Sequence, residues 1–195
     1  MNRPLFAATA ALAILVAGAA PAAAAYKTAI FAGGCFWSAE HDIEHAPGVK
    51  AVVVGYSGGT LRNPNYQNHE GHLEAIKVTY DPAVTSYGQL VTQFFHHIDP
   101  TDPEGQICDY GPSYRTAVFV ADPAERAAAE AAKAQVAKTL GKTVATRILP
   151  AGTFWMGEAY HQDYAKKNPL AYGAYRTGCG RDARMEKLWG SEYTH

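Results

Sequence analysis

The chain has 195 residues, with 17 Lys and Arg against 18 Asp and Glu and a formal net charge of -1. This near-balance, without a basic run, excludes the charge pattern of a nucleic-acid binder. Residues 1–25 read as a cleaved signal peptide. Arg3 supplies a positive start, 5–20 are apolar and alanine-rich, and Pro21 precedes Ala22-Ala23-Ala24-Ala25. The apolar run is short for a membrane span and no stop-transfer cluster follows it, so residues 26–195 are expected as one exported domain with no stable span. The expected compartment is the bacterial periplasm. That length suffices for a single full core.

Within it, a strand over 28–32 runs through Gly33-Gly34 into a helix beginning near Cys35-Phe36-Trp37. A second strand, 49–56, ends at Ser57-Gly58-Gly59, and a polar loop follows over 60–71. A strand over 73–80 closes at Asp81-Pro82. Residues 86–97 carry Leu90, Val91, Phe94 and Phe95 at helical spacing. A Pro- and Gly-bearing loop (99–112) leads to a strand over 114–120. Asp122 as N-cap and Pro123 in the first turn open an alanine-rich helix that Gly141 stops. A strand over 143–149, a helix over 158–167 ended by Asn168-Pro169, an irregular stretch over 170–177 and a short helix over 181–189 complete the chain. Irregular alternation with long loops predicts an α+β fold: one two-layer domain, a mixed central sheet with helices packed on it, and an irregular C-terminal tail.

The three cysteines are Cys35, Cys108 and Cys179. An odd number fits redox catalysis, with one pair forming in turnover, and equally fits one structural disulfide plus one free thiol. Cys35 stands where a strand turns into a helix. Unpaired N–H groups and the positive dipole end favour the thiolate there. Phe36 and Trp37 are placed to wall a small apolar pocket beside the sulfur. Glu74, at the start of a strand, becomes a general acid if an apolar pocket raises its pKa. Tyr66 and Tyr114 are candidate hydroxyl donors, and Asp109 lies in a turn-rich loop. The histidines (His41 with His45, His69 with His72, His96 with His97) form no compact ligand cluster, so no metal is expected. His72, two residues from Glu74, is placed to shape the site.

Taken together, these segments resemble the A-type peptide methionine sulfoxide reductases. The matching motifs are Gly34-Cys35-Phe36-Trp37, Gly55-Tyr56-Ser57-Gly58-Gly59, Asn63-Pro64-Asn65-Tyr66 and Gly71-His72-Leu73-Glu74. Asp109-x-Gly111-x-x-Tyr114-Arg115, Tyr160-His161-Gln162-Asp163-Tyr164 and Lys167-Asn168-Pro169 continue in the family's order. The resemblance implies a ferredoxin-like reductase fold and repair of methionine-S-sulfoxide in proteins. Cys35 would attack the sulfoxide sulfur, and Phe36 and Trp37 would hold the methyl group. Glu74, Tyr66 and Tyr114 would bind and protonate the oxygen, and Asp109 would position them. It further implies a sulfenic acid on Cys35, an intramolecular disulfide, no bound cofactor, and recycling by an external thioredoxin-like dithiol of a monomeric enzyme.

The family's tail cysteine is replaced here by Gly173. Cys179, between Gly178 and Gly180 and near Arg176 and Arg181, is the preferred resolving thiol. Cys108, whose thiolate Asp109 disfavours, is the alternative. An acyl-transfer cysteine enzyme has no need of Glu74 and the paired tyrosines. A histidine-based binding module has no need of Cys35.

Overall fold

The computed structural model describes residues 25–193, so residues 1–24 of the expected signal peptide lie outside the described residues. The chain forms β1 (Lys27–Ala32), α1 (Phe36–Ile43), β2 (Val49–Ser57), β3 (Leu73–Tyr80) and α2 (Tyr87–His96). A small hairpin follows, β4 (Gly105–Gln106) with β5 (Asp109–Tyr110), then β6 (Ala117–Val120), α3 (Pro123–Leu140), β7 (Arg147–Pro150) and β8 (Trp155–Met156). Three helices end the chain: α4 (Tyr164–Lys167), α5 (Pro169–Cys179) and α6 (Arg181–Trp189).

Six strands make one sheet in the order β7-β6-β1-β3-β2-β8. Every pairing is antiparallel except β6 with β7, which α3 connects in parallel. The period-2 alternation of the strands sorts their side chains onto two faces. Phe31, Ile76, Val78 and Val118 join Phe36 and Ile43 of α1, Leu90 and Phe94 of α2, Val136 of α3 and Met185 of α6 in the main core. The opposite face holds a smaller cluster, Leu73, Ala75, Ala117 and Phe119, with Phe154 laid against it. The layer of helices on one face of a mixed sheet is the expected α+β arrangement. It has a consequence for chemistry: Glu74 shares the parity of Ile76 and Val78, so its carboxyl points into the helix layer beneath α1.

Local chemistry accounts for the helices. Ser86 and Gln89 close a capping box on α2, and Asp122 accepts from the Glu125 N–H at 2.8 Å at the start of α3. The expected helix over 158–167 shrinks to α4 because Asp163 adopts a left-handed conformation, φ 53°. The strand expected over 143–149 begins only at Arg147, and residues 112–114 form a 3-10 turn ahead of β6.

The stretch read as an irregular tail is helix α5. Gly173 and Gly178 lower its intrinsic propensity, so its order comes from tertiary ties. Arg176 donates to Asp42 of α1 at 2.6 Å, and Tyr172 reaches Ser38 at 3.4 Å. Arg181, almost fully buried, donates to Asp42 at 3.0 Å and to the His97 carbonyl at 2.8 Å. Asp42 therefore holds the end of α5 and the start of α6 against the first helix. No helix among the described residues is long and apolar enough to cross a membrane.

Candidate active site

The turn from β1 to α1 fixes the position of Cys35. Gly34 carries φ +83°, and a Cβ built there would lie 2.4 Å from the Gln106 Cβ. Of the two glycines, this is the one whose backbone requires the absence of a side chain. Gln106 is itself buried and locked: its Oε1 accepts from the Asp99 N–H at 2.7 Å, and its Nε2 donates to the Asp99 carbonyl at 3.0 Å. The β4–β5 hairpin is thereby pressed onto the turn, which carries Asp109 to the neighbourhood of Cys35. Cys35 is the N-cap of α1, its carbonyl accepting from the Ser38 and Ala39 N–H groups at 3.1 and 3.2 Å.

Glu74 reaches the same point from beneath. It is 1% exposed, and its Oε2 accepts from the Phe36 N–H at 3.0 Å. Burial pushes its carboxyl up to about 8, against the opposing pull of that hydrogen bond. The carboxyl therefore carries a proton at neutral pH, which is the state a general acid needs.

Cys35 departs from the expectation of a thiolate favoured by its helix start. Its thiol is buried and pushed up to about 12, first by desolvation and then by the charge on Glu74. A hydrogen bond from Tyr175 and the Trp37 backbone N–H act in the opposite sense. The helix terminus is outweighed because removing a sulfur anion from water is the larger effect. Glu74 and Cys35 are coupled: whenever the carboxyl holds its proton, its push on the thiol disappears.

Tyr66 and Tyr114 complete the convergence. Each acts on the other's titration, and both feel the charges of Glu74 and Cys35; burial is the main cause that pushes each phenol up. Beside them the aromatic wall is rigid. The Trp37 indole stacks on Tyr164 at 3.7 Å between centroids, and its Nε1 donates to His161 Nδ1 at 3.1 Å. His161 in turn lies 4.9 Å from the Phe36 ring and 4.6 Å from the Tyr66 ring. Accepting from Trp37 at Nδ1 fixes its tautomer with the proton on Nε2. A protonated acid, two phenols, a thiol and an apolar aromatic wall thus meet at one point.

The model of a known family, peptide methionine sulfoxide reductase, matches residues 27–193. The chain is 54% identical over 197 residues to the peptide methionine sulfoxide reductase MsrA 2 of Caulobacter vibrioides, covering 97% of this chain and 100% of that one.

The chain belongs to the peptide methionine sulfoxide reductase family.

It is an oxidoreductase of that family, and solved members share its fold. Methionine sulfoxide reductase A of Corynebacterium diphtheriae superposes with a TM-score of 0.67 at 31% identity, over 80% of this chain and 81% of that one. Mxr1 from Saccharomyces cerevisiae in reduced form gives 0.70 at 29% identity, over 74% and 87%. Mxr1 in complex with Trx2 gives 0.53 at 25% identity, over 76% and 91%.

Against that family frame, the structure places the residues singled out from the sequence as follows. Cys35, Glu74, Tyr66, Tyr114, Phe36 and Trp37 converge, and Asp109 lies close enough for its charge to act on both Cys35 and Glu74. His72 does not enter the site. Its Nδ1 accepts from Gly59 N–H at 3.2 Å and its Nε2 meets the Leu61 carbonyl at 2.8 Å, which ties down the 57–61 turn. The two cysteines weighed as rivals, Cys108 and Cys179, are joined to each other in a disulfide with 5.3 Å between Cα atoms, and Cys35 is the free thiol.

Two residues of this reductase site went unassigned in the sequence. His161 was legible only as part of a motif, without a role. Tyr175 gave no signal, because it falls in the stretch read as irregular. Its hydroxyl donates to Asp109 Oδ2 at 2.6 Å, its ring meets Trp37 edge-on at 6.2 Å, and its hydroxyl draws the Cys35 thiol downward, against burial. Helical spacing along α5 was the missing clue: Tyr172, Arg176 and Cys179 share its inward side.

Proposed function

We propose that this chain reduces the S epimer of methionine sulfoxide in oxidised proteins through Cys35. The observation that carries this reading is the convergence of a protonated buried carboxyl, Glu74, and two phenols on one free thiol beside Phe36 and Trp37. A sulfoxide accepts a sulfur nucleophile only when its oxygen is protonated or strongly hydrogen-bonded, so thiolate and acid must meet at one S–O group. Phe36 and Trp37 receive the methyl group, Tyr66 and Tyr114 hold the oxygen, and Glu74 supplies its proton. Methionine leaves with two electrons gained, and the Cys35 sulfur becomes a sulfenic acid.

The Cys108–Cys179 disulfide supports a two-step recycling. With the pair reduced, the Cys179 thiol attacks the Cys35 sulfenic acid, forming a Cys35–Cys179 bond and releasing water. The Cys108 thiolate then attacks the Cys179 sulfur, freeing Cys35 and forming the Cys108–Cys179 bond. An external dithiol reduces that bond and leaves oxidised. Cys108 is exposed where Cys179 is half-buried, so the pair offers its outer sulfur to a reductant. The yeast protein solved with Trx2 supports a thioredoxin-like donor here. The signal-peptide pattern of residues 1–25 supports an exported, periplasmic monomer of residues 26–195 that draws on a donor outside the cytoplasm.

Three variants test this cycle. Cys35→Ser should lose all reduction. Cys179→Ser should complete one turnover and then stall before a dithiol protein. Cys108→Ser should accumulate the Cys35–Cys179 bond, visible by peptide mass mapping. If Cys179→Ser recycles normally, the assignment of the resolving thiol is wrong.

A further inference from the structure

Among the groups that meet at the sulfoxide oxygen, Glu74 stands on β3 and Tyr114 on the 3-10 turn. Tyr66 sits in the long loop between β2 and β3 and is 38% exposed. Bonds within that loop shape its tip. Asn65 and Asn68 exchange backbone bonds at 3.0 Å, and the Asn65 side chain accepts from the Gln67 and Asn68 N–H groups at 3.0 and 2.9 Å. These bonds fix the form of the tip but not its place over the sheet. A hydroxyl that meets a developing charge works best when it is held in place before the reaction.

Glu158 supplies that hold. The Tyr66 N–H points out of the tip and donates to Glu158 Oε1 at 2.8 Å, while the Tyr56 hydroxyl donates to Oε2 at 2.9 Å. Tyr56 is fully buried on β2, directly opposite Glu74 in the β2–β3 register, with its ring 5.8 Å from that of Phe36. The carboxylate therefore spans from the strand pair that carries the acid to the loop that carries the phenol. Burial pushes the Glu158 carboxyl upward, but the bonds it accepts outweigh this and hold it below its usual range. It is thus ionised at neutral pH, and both bonds are charge-assisted.

The place of Glu158 is fixed independently. The Gly157 N–H donates to the Val54 carbonyl at 2.9 Å, and the Gln162 side chain bonds the Val54 N–H and carbonyl, each at 2.9 Å. The same turn brings a second support to Tyr66. The His161 N–H donates to the Glu158 carbonyl at 2.9 Å, and the His161 ring lies 4.6 Å from the Tyr66 ring.

We propose that Glu158 is a positioning residue for sulfoxide reduction, which sets the Tyr66 hydroxyl at the sulfoxide oxygen by clamping the Tyr66 backbone to the strand paired with that of Glu74. It does not touch the substrate and exchanges no proton. Its effect passes through Tyr66, so it exists only while Tyr66 carries its hydroxyl. The effect falls on rate more than on affinity, because the bond to the oxygen strengthens as charge develops there.

This inference rests on the reading of Tyr66 as an oxygen ligand in the Cys35 reaction, and a double-mutant cycle separates the two. The probe is a short peptide carrying methionine-S-sulfoxide, reduced in a single turnover. Glu158→Ala should slow the step about 10- to 100-fold with little change in peptide affinity. In a Tyr66→Phe background the same substitution should slow it by about threefold at most. Glu158→Gln keeps an oxygen for the Tyr66 N–H and an amide that donates to the Tyr56 oxygen, so it should recover most of the rate. Tyr56→Phe removes the second anchor and keeps the ring against Phe36. It should slow the reaction severalfold, again only when Tyr66 has its hydroxyl, and it carries the test if Glu158→Ala does not fold.

A Glu158→Ala enzyme as fast as wild type overturns the proposal. Equal slowing in the two Tyr66 backgrounds also overturns it, because Glu158 would then support the fold of the whole site. A Glu158→Gln enzyme as slow as Glu158→Ala does the same, because the charge itself would be acting. A wild-type rate in Tyr66→Phe, or activity surviving in Cys35→Ser, would sink the underlying reading and the proposal with it.

Discussion

Replacing Glu74 with Gln keeps the size of the side chain and leaves a carbonyl to accept the 3.0 Å bond from the Phe36 N–H. It removes only the acidic proton. In the wild type the carboxyl rises from its ordinary 4.5 to about 8, chiefly through burial. That displacement corresponds to roughly 5 kcal/mol at most between the two protonation states. Three consequences follow with definite signs. Single-turnover reduction of methionine sulfoxide should fall about 10²- to 10³-fold at neutral pH, as for a lost general acid. The wild-type rate should decline as pH rises through about 8, where Glu74 loses its proton, and this limb should vanish in Glu74→Gln.

The folded state holds a proton that the unfolded state has released between about 4.5 and 8. Wild-type stability should therefore decrease by a few kcal/mol as pH rises across that window, and the variant's should not. Urea denaturation at several pH values measures the stability effect, and rapid quench measures the rate. Because the Glu74 charge also pushes the Cys35 thiol upward, the variant should alkylate at Cys35 as fast as wild type or faster above pH 8. A variant that reduces sulfoxide within about threefold of wild type, or whose rate still breaks near pH 8, would refute Glu74 as the acid.

Asp42→Asn should destabilise the protein by about 3–5 kcal/mol, because Arg176 and Arg181 both lose a buried anionic partner at once. Limited proteolysis should then cut first around 169–190. A variant as stable as wild type would show that α5 and α6 are held otherwise. Gly34→Ala combines a positive φ with a 2.4 Å approach to the Gln106 Cβ, and should lose about 2–4 kcal/mol together with nearly all activity. Thermal melting and a sulfoxide assay check this. Unchanged melting would mean that the turn at Cys35 can rearrange.

The parts of the fold that could be read from the sequence are those whose signals are local. Strand β3 appears with its boundaries intact because alternating apolar residues end at Asp81-Pro82, and α3 because Asp122-Pro123 and Gly141 punctuate it. Helix α5 was not legible. Two glycines weaken its pattern, and what keeps it helical, Asp42 from residue 176 and Cys108 from residue 179, lies far away in sequence. The same distance hid Tyr175 and the pairing of Cys108 with Cys179. Cys35 could be recognised as a reactive thiol from its turn. Its protonation state could not, because desolvation depends on how completely Phe36, Trp37 and α5 enclose the sulfur. Glu74 was legible as a candidate acid, and the strand parity that aims it at the helix layer confirms where its carboxyl goes.

The central claim is that Cys35 is the thiol that reduces methionine sulfoxide, and that the pocket formed by Phe36, Trp37, Tyr66, Tyr114 and Glu74 selects one epimer. Turnover of the separated S and R epimers with a chemical dithiol, comparing wild type with Cys35→Ser, measures both parts at once. Wild type should consume the S epimer and leave the R epimer, and Cys35→Ser should consume neither. Reduction by Cys35→Ser, or equal consumption of the two epimers by wild type, would contradict the account.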